Sequence, residues 1–153
     1  MKKDWIEESE SWEFHHLGVV VRDLDKAIEY FQLLGIGPFK SNPSEVATDR
    51  RVYGKPAEIK LRGAEAQLGP IKFELIQPVA GESVQKEFLE TKGEGINHIG
   101  FMVDDLDRQV KKLEEKGFRP ISTGKIPPKG AFAYMGTNRV GGVFIELIKK
   151  GSH

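Results

Sequence analysis

Two histidines and two glutamates stand at matching places in a stretch that this chain carries twice. His16-Leu-Gly-Val-Val-Val-Arg-Asp-Leu-Asp-Lys returns without a gap as His98-Ile-Gly-Phe-Met-Val-Asp-Asp-Leu-Asp-Arg. The match runs on to Gly35-Ile-Gly-Pro38 and Gly117-Phe-Arg-Pro120, and a late strand repeats too: Glu74 in Phe73-Glu-Leu-Ile answers Glu146 in Phe144-Ile-Glu-Leu-Ile. Imidazole nitrogen with carboxylate oxygen suits one borderline divalent ion: Co, Ni, Zn, Mn or Fe. A lone strand histidine is usually structural and a mid-strand glutamate usually meets water. Two of each, at equivalent places of a repeat, point instead to a metal. His16, Glu74, His98 and Glu146 are therefore the candidate ligands. Pseudo-twofold symmetry would bring them to one point, and on an octahedral ion they would leave two adjacent positions for water or a chelating substrate.

The surrounding elements must hold those side chains on one face. Residues 14–21 alternate as a strand does, with Leu17, Val19 and Val21 on one side and His16, Gly18 and Val20 on the other. Asp23-Leu-Asp25 offers helix N-cap acceptors, Leu24, Ala27, Ile28, Phe31 and Leu34 form an apolar stripe, and Gly35 ends it. A loop leads to strands near 57–67 and 70–77, joined at Gly69-Pro70, and a linker helix is expected over 83–93. The second module repeats the order. It has a strand at 97–103, a helix capped by Asp104 or Asp105 and carrying Leu106, Val110 and Leu113, and strands near 119–123, 131–136 and 142–149. The expected fold class is α+β: two tandem βαβββ modules forming a curved eight-stranded mixed sheet around a metal-binding cavity. Residues 1–12 read as an N-terminal extension. Residues 13–149 read as one domain, with module one at 13–80, the linker helix at 81–94 and module two at 95–149. Residues 150–153 form a tail whose Gly-Ser-His ending resembles a tag remnant, so His153 is left out of the site. Phe73 and Leu75 should face the helix and Glu74 the cavity, while Glu146 shares a face with apolar Phe144 and Ile148. A charge there is costly unless paired or metal-bound. His15 has the opposite parity to His16 and is matched by Asn97, so it reads as structural or surface.

With 153 residues, 39% hydrophobic and 30% charged, the chain suits one ordinary soluble domain built from two half-domains. Lys plus Arg and Asp plus Glu both number 23, so no global field favours nucleic acid or an anionic membrane. The absence of cysteine excludes disulfides, thiolate ligands and a Cys nucleophile, and is compatible with a reducing cytosol. No apolar run approaches the ~20 residues that span a bilayer, and the acidic N-terminus lacks the core of a signal peptide, so a cytoplasmic location is expected. Trp5 and Trp12 suit a short docked helix or a partner contact.

The His-[Leu/Ile]-Gly-x-x-Val-x-Asp-Leu-Asp segments and the Glu-Leu-Ile strands resemble the vicinal oxygen chelate superfamily. That superfamily includes glyoxalase I, methylmalonyl-CoA epimerase, extradiol dioxygenases and bleomycin or fosfomycin resistance proteins. The resemblance spans residues 13–149. Glu74-Leu-Ile-Gln-Pro, Gly93-Glu-Gly-Ile-Asn-His98-Ile-Gly-Phe and Gly141-Gly-Val-Phe-Ile-Glu146-Leu are most similar to methylmalonyl-CoA epimerases and their glyoxalase-like relatives. It implies paired βαβββ modules, a divalent metal on His16, Glu74, His98 and Glu146, and often a homodimer. The implied chemistry is α-proton abstraction from a chelated carbonyl compound, with Lewis-acid stabilisation of the enolate. Glu146 would serve as ligand and base. The second acid of epimerases lies on the strand before the ligand strand, where ungapped counting from Glu74 reaches Glu58; Glu45 and Asp49 are alternatives. The chain departs from those epimerases in lacking the histidines of their Ala-His-Gly and Leu-His-Pro segments, since Lys125-Ile-Pro-Pro-Lys-Gly-Ala-Phe-Ala-Tyr134-Met-Gly stands there. The expected ligand is a small molecule, a CoA or glutathione thioester or hemithioacetal, and Arg50, Arg51, Lys55 and Lys129 are candidates for its phosphates. The expected activity is an epimerase of methylmalonyl-CoA type. A glyoxalase I type lyase is the second reading, and a metal-free binding or resistance protein the alternative of another class.

Overall fold

The strands follow the alternation read from the sequence and curl into one mixed sheet. In the computed structural model, residues 12–149 are described; Trp5 and the rest of the lead-in to residue 11 lie outside them, as does the tail 150–153. Module one comprises β1 (Glu13–Val20), α1 (Leu24–Leu33), β2 (Lys40–Ser41), β3 (Thr48–Val52), β4 (Lys55–Pro56), β5 (Lys60–Leu68) and β6 (Ile71–Ala80). The linker helix is α2 (Val84–Lys92). Module two comprises β7 (Gly95–Val103), α3 (Leu106–Glu115), β8 (Pro120–Ile126), β9 (Gly130–Met135) and β10 (Phe144–Lys149). The strand order is β2-β5-β6-β1-β7-β10-β9-β8-β3-β4. At its centre β1 and β7 pair antiparallel, and each is flanked by a parallel partner, β6 or β10. That centre is the pseudo-twofold axis of the repeat.

Equivalent residues start and stop the two main helices. Asp23 accepts from Lys26 N and Asp105 from Arg108 N, each at 3.1 Å. At the other end Ile36 N donates to Phe31 O and Phe118 N to Leu113 O, both at 3.0 Å, across Gly35 and Gly117 in the left-handed region. This is the same Schellman closure twice. The helices then bury equivalent stripes. Leu24, Ala27, Ile28 and Phe31 pack with Leu17, Val19, Val21, Phe73 and Leu75, and Leu106, Val110 and Leu113 pack with Phe101, Val103, Ile145 and Leu147. Trp12 joins the second cluster, its ring tilted against Phe101 and its Nε1–H donating to Gln109 at 2.9 Å. One strand face is thereby used up under the helices, and the concave face is left to line a cavity.

The sheet has ten strands where eight are expected from the sequence. Seven of the ten correspond to the seven segments placed from the sequence, and the other three, β2, β3 and β4, lie in residues 40–56, which read as loop. Thr48–Val52 and Lys55–Pro56 form a hairpin that leaves module one and pairs with β8, at the far edge of module two. Its Thr-Asp-Arg-Arg-Val strand is polar, so no alternation announces it. Its turn, Tyr53-Gly54, has positive φ at both residues (51° and 78°), the geometry of a two-residue hairpin without the usual Asn-Gly signature.

Candidate metal centre

Four strands deliver four side chains to one point, and the sheet register decides which ones meet. In one row the backbone partners are Glu74, Gly18 and His98; in the other they are Glu146, Gly100 and His16. Each histidine thus shares a row with the glutamate of the other module. The distances follow. His16 Nε2 lies 2.9 Å from Glu146 Oε1 and His98 Nε2 lies 3.2 Å from Glu74 Oε1, while the same-module pairs are 3.9 Å (His16–Glu74) and 3.4 Å (His98–Glu146). The two Nε2 atoms are 3.0 Å apart.

This set fits a divalent cation. Ligand atoms about 2.1 Å from a shared ion stand about 3.0–3.4 Å from their neighbours and about 4.2 Å across it. Ligand atoms of His16, Glu74 and His98 all lie within 4.8 Å of one another, and Glu146 approaches both rings. The glycine between each Glu and His is what admits the ring. A Cβ on Gly18 would sit 2.0 Å from His98 Cε1, and one on Gly100 would sit 2.0 Å from His16 Cε1. The His-x-Gly repeat is therefore a reciprocal cradle. The rings are also held from behind by the residues preceding them. His98 Nδ1–H donates to Asn97 Oδ1 at 2.9 Å, and His16 Nδ1 meets His15 Nδ1 at 2.8 Å. Both hydrogen bonds turn Nε2 toward the centre, as ligating imidazoles require. His15, read as structural or surface, is the module-one member of this orienting pair and lines the cavity.

The electrostatics agree. Glu74 and Glu146 are 7% and 6% exposed, and Glu65, also 5% exposed, lies directly opposite Glu74 across the β5–β6 pair. Burial alone would discharge His16, but Glu74 and the hydrogen-bonded Glu146 outweigh it and hold the ring at about 9. Burial would likewise push Glu74 up, but His16, His98 and Asn42 hold its carboxyl well below the usual range. Asn42, buried on the loop after β2, donates to Glu74 and, at 3.5 Å, to Glu65.

The cavity over this centre has a volume of about 710 Å³. Leu61, Ile126, Phe132 and Ile148 give it an apolar wall, and Lys72, paired to Glu65 at 3.0 Å, stands on its polar side. Glu58 is not there. It is exposed on the loop between β4 and β5, beside a separate surface depression. Glu45 accepts from Gly63 N at 2.7 Å and Asp49 pairs with Lys125 at 3.6 Å, and neither lines the cavity. The buried carboxylate on the strand before the ligand strand is Glu65. Ungapped counting does not reach it, because the Gly69-Pro70 turn is tight and the residue opposite Glu74 is nearer in sequence. Of the basic candidates, Arg50 lines the cavity, whereas Arg51, Lys55 and Lys129 do not. Two residues passed over in the sequence also line it. Tyr134 lies opposite Glu146, its phenol pushed well above the ordinary value by burial and by the Glu146 and Glu74 carboxylates, and Gln85 comes from α2.

A four-point centre of this kind at the junction of paired βαβββ modules defines a family. The chain belongs to the glyoxalase/bleomycin resistance protein/dioxygenase superfamily, whose family model matches residues 15–135. It is 30% identical over 140 residues to the mitochondrial methylmalonyl-CoA epimerase of Bos taurus, covering 87% of this chain and 71% of that protein. It is 28% identical over 137 residues to the uncharacterized protein YqjC of Bacillus subtilis (strain 168), covering 86% and 88%. Among solved structures, a Streptomyces coelicolor methylmalonyl-CoA epimerase variant in complex with 2-nitronate-propionyl-CoA superposes with a TM-score of 0.66 at 21% identity, over 92% of this chain and 98% of that one.

Proposed function

We propose that this chain is an epimerase of a CoA thioester with an acidic α-carbon, of methylmalonyl-CoA type. The observation that carries the proposal is Glu65, a buried carboxylate beside the ligand Glu74 and inside the same cavity. Epimerisation needs a proton taken from one face of a carbon and returned to the other. Glu65, as a carboxylate, takes the proton from the module-one flank and becomes neutral. Glu146, entering the turnover as the neutral acid on the module-two flank, gives its own proton to the opposite face and becomes a carboxylate. Proton exchange with water, or turnover in the reverse direction, resets both. Glu65 is held in place by Lys72 and Asn42. His16, Glu74, His98 and Glu146 would hold the divalent cation, which when bound supplies Lewis acidity to the substrate's carbonyl oxygens. The apolar wall excludes water from the carbon acid, and Arg50 offers a cation to an anionic substrate. The relatives named methylmalonyl-CoA epimerase support this choice of substrate class.

The test is α-proton exchange. Protein loaded with Co, Ni, Zn, Mn or Fe should erase the α-proton NMR signal of methylmalonyl-CoA in D₂O. Glu65→Gln should slow that loss by about 10²-fold or more while leaving metal content unchanged, as expected for removal of a general base. Silence with every metal would overturn the proposal. Silence combined with turnover of the methylglyoxal–glutathione hemithioacetal would move the reading to a lyase.

A further inference from the structure

Each half of the sheet continues its row one strand past the glutamate. The first row runs His98, Gly18, Glu74, Glu65, and the second runs His16, Gly100, Glu146, Tyr134. Tyr134 is thus the pseudo-twofold mate of Glu65, and both line the one cavity. Where module one ends its row on a carboxylate, module two ends it on a phenol that is 3% exposed. The ring is fixed in plane by edge contacts to His98 (4.8 Å) and Phe132 (5.8 Å). The Gln85 amide reaches its hydroxyl, and the same amide's Oε1 has no protein partner. A phenylalanine would fill this space without burying a hydroxyl, so the oxygen calls for a chemical use.

We propose that Tyr134 is a catalytic hydrogen-bond donor, its O–H binding the substrate oxygen on which negative charge develops, with Gln85 as the positioning residue for that hydroxyl. The proposal rests on the epimerase reading above and assigns the residue that reads the enolate. The difference between the two mates has a chemical reason. A carbon acid needs an acceptor for its proton and a donor for its oxygen, and a second carboxylate at Tyr134 would repel the developing anion. A phenol, with an ordinary pKa of about 10, stays protonated at neutral pH and keeps its O–H to donate while its oxygen accepts from the Gln85 amide. No covalent bond forms or breaks at Tyr134, so nothing there has to be restored between turnovers.

The experiment compares wild type with Tyr134→Phe, a change of one oxygen that keeps the ring packing. Exchange kinetics on methylmalonyl-CoA are read beside calorimetric affinity for two probes, 2-nitronate-propionyl-CoA, a planar anionic mimic of the enolate, and propionyl-CoA, which lacks that charge. Metal content and Tm serve as controls. A lost preorganised donor should lower kcat about 10²-fold with little change in KM. The nitronate should bind about tenfold more weakly while propionyl-CoA binding stays within about twofold, as loss of a transition-state contact requires. Retention of both exchange and nitronate affinity within about threefold would overturn the proposal, and so would equal weakening of both probes, which marks a packing role. An inactive wild type would instead overturn the epimerase reading, and the assignment of Tyr134 with it.

Discussion

Gly18 and Gly100 matter to the centre as much as the four candidate ligands do, because each occupies the floor on which the opposite imidazole lies. A methyl group at either position must displace a ring boxed in by the neighbouring Glu and by Asn97 or His15. Gly18→Ala and Gly100→Ala are therefore expected to lower metal uptake by at least about 10-fold and to cost about 1–3 kcal/mol of stability through overpacking. Metal analysis after dialysis, with urea unfolding alongside, measures both. Full metal content in either variant would show that the rings lie elsewhere. The four metal candidates were legible as residues because strand parity puts them on one face, and their repetition marks them. The cradle was written in the same His-x-Gly repeat, but its meaning needs the antiparallel partner. Glu65 and Tyr134 were not legible, since only one of the two is a carboxylate and neither stands in a repeated motif.

The helices show the opposite case, in which local sequence is sufficient. The Asp caps and the Gly35 and Gly117 closures involve residues within one turn of each other, so the chain specifies them without help. Asp105→Ala is expected to lower stability by about 1 kcal/mol without affecting metal content, because α3 packs on the face away from the cavity. Denaturant unfolding of metal-free and metal-loaded protein checks this, and a loss of metal with the cap would contradict it. Hairpins are harder. The β5–β6 turn at Gly69-Pro70 was evident, yet its tightness, which sets Glu65 rather than Glu58 beside the centre, is a property of the paired strands. The β3–β4 hairpin is harder still. It has no apolar rhythm, it turns on Tyr53-Gly54, and its partner β8 lies in the other module, yet it brings Arg50 to the cavity wall.

Across the whole molecule, the centre makes stability depend on pH in a way that a bound cation should change. In metal-free protein His16 is held at about 9, above its ordinary value, because Glu74 and Glu146 outweigh burial. A group raised on folding stabilises fully below its unfolded value, about 6.5, and this contribution fades as pH rises through about 9. The chelated protein should therefore lose Tm from about pH 6.5 to about pH 9. A cation takes the place of the His16 proton, so loaded protein should not share the loss, and the gap between the two should widen with pH. Thermal melts with Co(II) and with chelator decide it. A gap that narrows toward alkaline pH would count against His16 as a ligand.

By itself the sequence determined the repeat, the helix ends and the face each strand residue takes, because these follow from backbone periods of about 3.6 and 2 residues and from contacts a few positions apart. The tertiary structure decided the rest. It paired each histidine with the other module's glutamate, placed a glycine beneath each ring, set Glu65 and Tyr134 at the ends of the two rows, and carried Arg50 across to the far edge. These are consequences of strand register and order, which are set by pairing between segments far apart in the chain and are not encoded in any local pattern.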